Sequence, residues 1–216
     1  LMMAVFTLVW GYFLPNPAVR AFHCFVLVAI LPWNWFNAAV SGGLYSIVNN
    51  SHLINKVYFP REVLPASIVL SELVNFLLAL PVLFVILALS GIPLTVHALW
   101  LPVVIAIQLT FSMGVALLLA TAHVYYRDTG MIMSVVLLAW FFLTPIIYPI
   151  EDMRQRYLPV LGVSAERFMY VVNPMASLVS SYRVILYGSA NGLPAEPAYD
   201  FLARTAVTAL AVLLVG

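Results

Sequence analysis

The feature that most constrains this chain is where its charges are missing. Residues 1–19, 21–55, 73–126, 129–150 and 205–216 contain no Asp, Glu, Lys or Arg. A helix rises 1.5 Å per residue, so about 20 apolar residues cross a hydrocarbon core of about 30 Å. The run 73–126 is too long for one crossing, and it breaks at the Gly/Pro-bearing turn Gly91-Ile92-Pro93. The pattern predicts six spanning helices at about 1–14, 22–47, 63–90, 99–122, 131–147 and 201–216. The first and last are short for a bilayer, and the chain is expected to be a fragment cut within those two helices.

Composition removes the alternatives. Only 8% of the 216 residues are charged and 64% are hydrophobic, against about 25% and about 45–50% in soluble domains. A net charge of +1 excludes a disordered polyelectrolyte and a nucleic-acid-binding face. The single cysteine excludes an internal disulfide framework. A β-barrel needs strands of about 10 alternating residues, whereas residues 77–87 are apolar on every face. Orientation is less determined. Basic residues in the short loops 48–62 and 123–130 place those loops in the cytoplasm. The four arginines of 148–200 would then lie outside, against a count over all loops.

Several chemistries lack their residues. The one lysine, Lys56, follows no glycine-rich loop, so the chain has no phosphate cradle of the G-x-x-x-x-G-K-[ST] kind. His23, His52, His97 and His123 fall in separate segments without metal-ligand spacing and read as interfacial or loop residues. Glu72 is the one carboxylate inside a predicted span, with Asn75 on the same helix face. It reads as a polar contact between helices or as an ion site, and a lone carboxylate makes a proton-driven carrier a poor fit. No catalytic residue and no metal ligand is assigned. A membrane enzyme acting on lipid-linked sugars would have only Glu151, Asp152, Arg154 and Arg156 to work with.

Three polar islands carry the specific signal: INKVYFPREVLP from Ile54 to Pro65, YYRD at 125–128, and TPIIYP at 144–149 together with Asn173-Pro174-Met175 and Tyr182-Arg183. Prolines at membrane depth break helices and are tolerated where protein or a cavity satisfies the freed backbone. On these motifs the chain, over residues 31–187, resembles the transmembrane (permease) subunit of bacterial ABC-2-type polysaccharide exporters, which handle O-antigen, teichoic acid and related lipid-linked glycans. The resemblance implies an all-α integral membrane protein of six spans in the bacterial inner membrane. It also implies short re-entrant or interfacial helices between the fifth and sixth spans, with 148–200 as an extracytoplasmic gate region. It further implies pairing with a second copy and two ATP-binding subunits, which would hold the ATP and Mg that this chain does not bind. Orientation then follows the short-loop count.

The resemblance also suggests roles. Lys56, Tyr58, Phe59, Pro60 and Arg61, with Arg127 and Asp128, fall where the permease would meet the ATPase; lipid anchoring and helix capping are the plainer readings. Trp33, Trp35, Phe36, Tyr45, Trp140 and Phe141 are candidates for the substrate path, since aromatic faces stack on sugars. Trp33 and Trp35, read as near a helix end, also suit an interfacial belt. Pro145, Tyr148, Pro149, Asn173, Pro174 and Arg183 are the gate candidates. An ABC-2 exporter of another lipid or a drug is the nearest alternative.

Overall fold

The computed structural model describes residues 21–51, 60–92, 96–148, 157–158, 163–187 and 199–215. Seven α-helices occur among them: α1 (Phe22–Asn49), α2 (Val63–Leu89), α3 (Leu101–Tyr125), α4 (Thr129–Leu143), α5 (Ala165–Val172), α6 (Pro174–Leu186) and α7 (Tyr199–Val215). A 3-10 turn, Val96–Trp100, leads into α3, and two-residue strands Tyr157–Leu158 and Val163–Ser164 pair antiparallel before α5. The expected span 1–14 lies outside the described residues.

Among the described residues three helices are long and apolar enough to cross a membrane: α1, α2, and the run His97–Tyr125 that contains α3. The helix α4 has 15 residues and ends earlier than the apolar pattern suggested, a length of about 22 Å. The cause is Pro145, whose ring disfavours helical geometry at the preceding residue; Thr144 is accordingly extended at φ −87, ψ 134. At the far end of α2 the chain stops as glycine allows. Gly91 takes φ 71, Gly91 N–H donates to Ala88 O at 3.1 Å and Ile92 N–H to Leu87 O at 3.1 Å. That is a Schellman ending, which needs a left-handed residue at Gly91.

The centre of the bundle is α1. It is the least apolar of the three long helices and the most buried, whereas α2 is the most apolar and the most exposed. This ordering suits a lipid solvent, in which an outer helix must be apolar all round and an inner one can carry polar groups. Pro32 removes a backbone donor from the middle of α1. Gln108 of α3 reaches across to donate to Pro32 O at 2.8 Å, tying the two helices at that point. The ring contacts fix directions. Trp35 stacks on Phe76 while Gly42 meets Ile68, so α1 and α2 run antiparallel; Phe36 stacks on Phe111 while Gly43 meets Ala116, so α1 and α3 run parallel.

Close approach depends on missing side chains. A β-carbon on Gly43 would sit 2.7 Å from Ala116 Cβ, and one on Gly114 would sit 2.6 Å from the backbone nitrogen of Leu213 in α7. Helices in lipid associate by such packing, with no hydrophobic force to draw them together. Gly114→Leu is therefore expected to separate α7 from α3 and to cost about 1–3 kcal/mol or more. A thermal unfolding curve in detergent reads this directly, and an unchanged midpoint would contradict the packing.

Candidate functional site

The antiparallel and parallel pairings bring the C-terminal ends of α1 and α3 together with the N-terminal ends of α2 and α4. Tyr45 near the end of α1 packs edge-on against His123 of α3, ring centroids 5.0 Å apart, and its hydroxyl lies against Gly130 of α4. Two charged turns therefore share one end of the bundle. Pro60, Arg61 and Glu62 lead into α2, and Arg127 and Asp128 join α3 to α4; all five are exposed. Lys56, Tyr58 and Phe59 lie outside the described residues. Asp128 is the N-cap residue of α4 without a side-chain capping bond, so its carboxylate is not committed to holding the helix.

The opposite end holds a buried polar knot. The indole Nε1–H of Trp140 donates to Asn173 Oδ1 at 2.7 Å. Asn173 Oδ1 also accepts from Ala176 N–H at 3.2 Å, which caps α6. On its other side Asn173 Nδ2 donates to Thr144 Oγ1 at 3.0 Å, and Thr144 Oγ1 donates to Trp140 O at 2.8 Å. One amide thus ties the end of α4, the segment after it and the start of α6.

Arg183 completes the knot. Residues 144–148 have left the helix, so their carbonyls lack helical partners. Arg183 Nη2 donates to Ile146 O at 2.6 Å and Nη1 to Tyr148 O at 3.5 Å. Its guanidinium carbon lies 3.6 Å from the centre of the Phe25 ring, a cation–π contact with α1. Arg183 is 7% exposed and ties its own helix α6 to α1 and to the broken segment. Burial pushes the Tyr148 hydroxyl above the ordinary tyrosine pKa, Arg183 pulling it partly back; Tyr148 thus stays a neutral donor toward the carbonyls that end α4. Pro145 is buried beside it and Pro174 opens α6, whereas Pro149 lies outside the described residues.

The aromatic candidates form a cluster of their own. Trp33 packs on Phe36 and Phe141, and Phe36 packs on Phe111 and Trp140, with centroids 5.3–5.7 Å apart. Trp35 stacks on Phe76 at 4.9 Å, and Phe76 packs on the buried Tyr182. Trp33 and Trp35 lie at the middle of α1, not near an end, and both are buried. An interfacial belt does not describe them, because they sit at mid-helix depth inside protein. Tyr45 alone of the six aromatics is exposed.

Sequence reasoning missed three contributors. Thr144 stood inside a quoted motif, and Gln108 was a lone amide in an apolar run; both were visible signals. Phe25 beneath Arg183 carried no signal, since a cation–π pair across helices leaves no mark in linear order. Trp140→Phe keeps the ring contacts and removes the donor to Asn173, an expected loss of about 1 kcal/mol. Thermal stability in detergent checks it, and a loss as large as that of Trp140→Ala would contradict the hydrogen-bond assignment.

Among the described residues no group of three His, Cys, Asp or Glu side chains could hold a metal ion. Glu151, Asp152, Arg154 and Arg156 lie outside the described residues.

The sequence matches the protein family described as ABC-2 type transporter over residues 1–187. It is 39% identical over 183 residues to a protein of Myxococcus xanthus named O-antigen export system permease protein RfbA, a match covering 85% of this chain and 66% of that protein. Two Klebsiella pneumoniae proteins of the same name are 29% and 28% identical over 216 residues, covering 98% of this chain and 74% of each relative.

Proposed function

This chain belongs to the ABC-2 type transporter family, and from that premise we propose that it is the membrane-spanning subunit of an ATP-driven exporter. Its cargo is a lipid-linked, O-antigen-like polysaccharide, and its membrane is the bacterial inner membrane. The names of the Myxococcus and Klebsiella relatives support the cargo. The protein is a multi-pass transport permease and not an ATPase. Two ATP-binding subunits supply the hydrolysis, and a second copy of the chain completes the transporter. The architecture is six spans, with residues 1–14 as the first, α4 as the fifth and α7 as the sixth.

The observation that carries the reading is the shared end of the two charged turns. Arg61 and Arg127–Asp128 stand exposed at the tips of α2, α3 and α4. On this reading that end faces the cytoplasm and meets the ATPase, with Lys56, Tyr58, Phe59 and Pro60 completing the contact surface. The helix α2 runs 27 residues, with Pro81 past its midpoint, about 40 Å in all, so a push at Arg61 is carried along one continuous helix to the opposite face. There the segment 148–200, with the knot of Pro145, Tyr148, Asn173, Pro174 and Arg183, serves as the extracytoplasmic gate. Non-helical backbone at that depth is held by side chains, not by its own ladder, so it can open when α4 and α6 move apart.

Copurification tests the partnership. The chain coexpressed with the ATPase subunit of its own transport system is expected to retain that subunit through affinity purification in mild detergent. Recovery of the chain alone under conditions that keep its own dimer intact would contradict the reading.

A further inference from the structure

Three sides of α1 are covered by protein. Trp35 faces α2 through Phe76, Phe36 faces α3 through Phe111, and Trp33 faces α4 through Phe141. The fourth side is open among the described residues. At about 100° per residue it carries Asn34, Asn37 and Ser41, Asn34 exposed and the other two half-buried. The midpoint of α1 falls between Trp35 and Phe36, and the two asparagines lie within about 3 Å of it along the axis. These are polar groups at the depth where a lipid chain can satisfy none of them.

The neighbouring wall is polar at the same depth. On α2, Ile68 is the residue that meets Gly42, at the margin of the open side. Glu72, Asn75 and Ala79 follow Ile68 at i+4, i+7 and i+11 and share that flank. Phe76 is the midpoint of α2, so the Glu72–Asn75 pair also sits near mid-depth. Asn75 Nδ2 donates to Glu72 Oε2 at 3.2 Å, which orients the carboxylate and leaves its other oxygen for a further donor. A carboxylate at this depth marks a pathway or a partner, since lipid cannot solvate it.

We propose that this groove, floored by Asn34, Asn37 and Ser41 and walled by Glu72 and Asn75, binds the sugar hydroxyls of the glycan in transit. The inference rests on the exporter reading above. Amides and a hydroxyl both donate and accept, and a carboxylate accepts from vicinal hydroxyls, which is the polar complement of a carbohydrate. A second copy packed into the same groove would bring like carboxylates into one dry interface; a sugar supplies donors without a charge. The aromatic cluster behind the floor then stiffens α1, and the polar face does the binding.

The test places single cysteines at Asn34, Asn37, Ser41 and Asn75 in a Cys24→Ala chain, assembled with its ATPase subunits in native membranes. A charged, membrane-impermeant thiol reagent is expected to label these positions about tenfold faster or more than Val74→Cys and Leu78→Cys, both on the exposed apolar side of α2. Loading with lipid-linked glycan is expected to slow that labelling. Labelling no faster than the controls overturns the inference, as does labelling that glycan leaves unchanged. An oxidative cross-link between two copies at Asn34→Cys overturns it too, since a second chain would then fill the groove. Glu72→Gln is expected to lower export about tenfold with the fold intact. Export by the Cys24→Ala chain is measured in parallel: export with an unlabelled groove sinks the inference alone, whereas no glycan export beside an active ATPase sinks the exporter reading.

Discussion

Asn173→Leu is expected to abolish export and to lower stability by about 3 kcal/mol or more. The side chain accepts from Trp140 Nε1 and Ala176 N and donates to Thr144 Oγ1. Leucine fills the volume but leaves the indole N–H without its acceptor, a loss of about 1–3 kcal/mol for a buried donor. It also removes the side-chain cap of α6, where Ala176 N–H keeps only Asn173 O at 3.0 Å. The tie between α4 and α6 is cut at the same stroke, because one amide serves both. Asn173→Asp separates the contributions: it keeps the acceptor for Trp140 and Ala176 and loses the donor to Thr144. The expected order of thermal midpoints in detergent is native, then Asp, then Leu. Asp and Leu variants of equal stability would show that the acceptor side of the knot contributes nothing.

The second large effect lies at the other end and is of a different kind. Arg61→Glu is expected to leave the folded chain and its assembly intact, because Arg61 is exposed and sits in the turn before α2. Export is expected to fall about tenfold or more while ATP turnover continues, since reversing one charge at an interface sets like against like. Reading export and ATP hydrolysis on the same preparation separates uncoupling from unfolding. Export at the native rate with Glu at this position would remove Arg61 from the coupling surface and leave it as an anchor at lipid headgroups.

Much of the helical framework was legible in the positions of a few charges, and the reasons are physical. Lipid forces each long crossing to be apolar, so the starts of α1 and α2 fell at the expected Phe22 and Val63. The end of α4 was misjudged because hydropathy continues through Ile146 and Ile147 while Pro145 stops the helix. The site was legible in type and not in contact. The motifs named Asn173, Tyr148 and Arg183, but nothing in linear order tells that Asn173 meets Trp140 thirty-three residues earlier. Aromatic candidates were harder still. Trp33 and Trp35 read as sugar platforms or as an interfacial belt, and linear order does not tell that both are buried at the middle of α1, whose open side carries asparagines and a serine.

The central claim is that this chain is the passive half of a pump whose engine is another subunit. Purified chain and its ATPase partner, reconstituted in vesicles holding lipid-linked glycan in the cytoplasm-equivalent leaflet, test it most directly. The account predicts ATP-dependent appearance of glycan on the opposite face, lost when the partner's phosphate-loop lysine is replaced. Glycan movement by this chain alone, at a rate indifferent to ATP and to the partner, would contradict it.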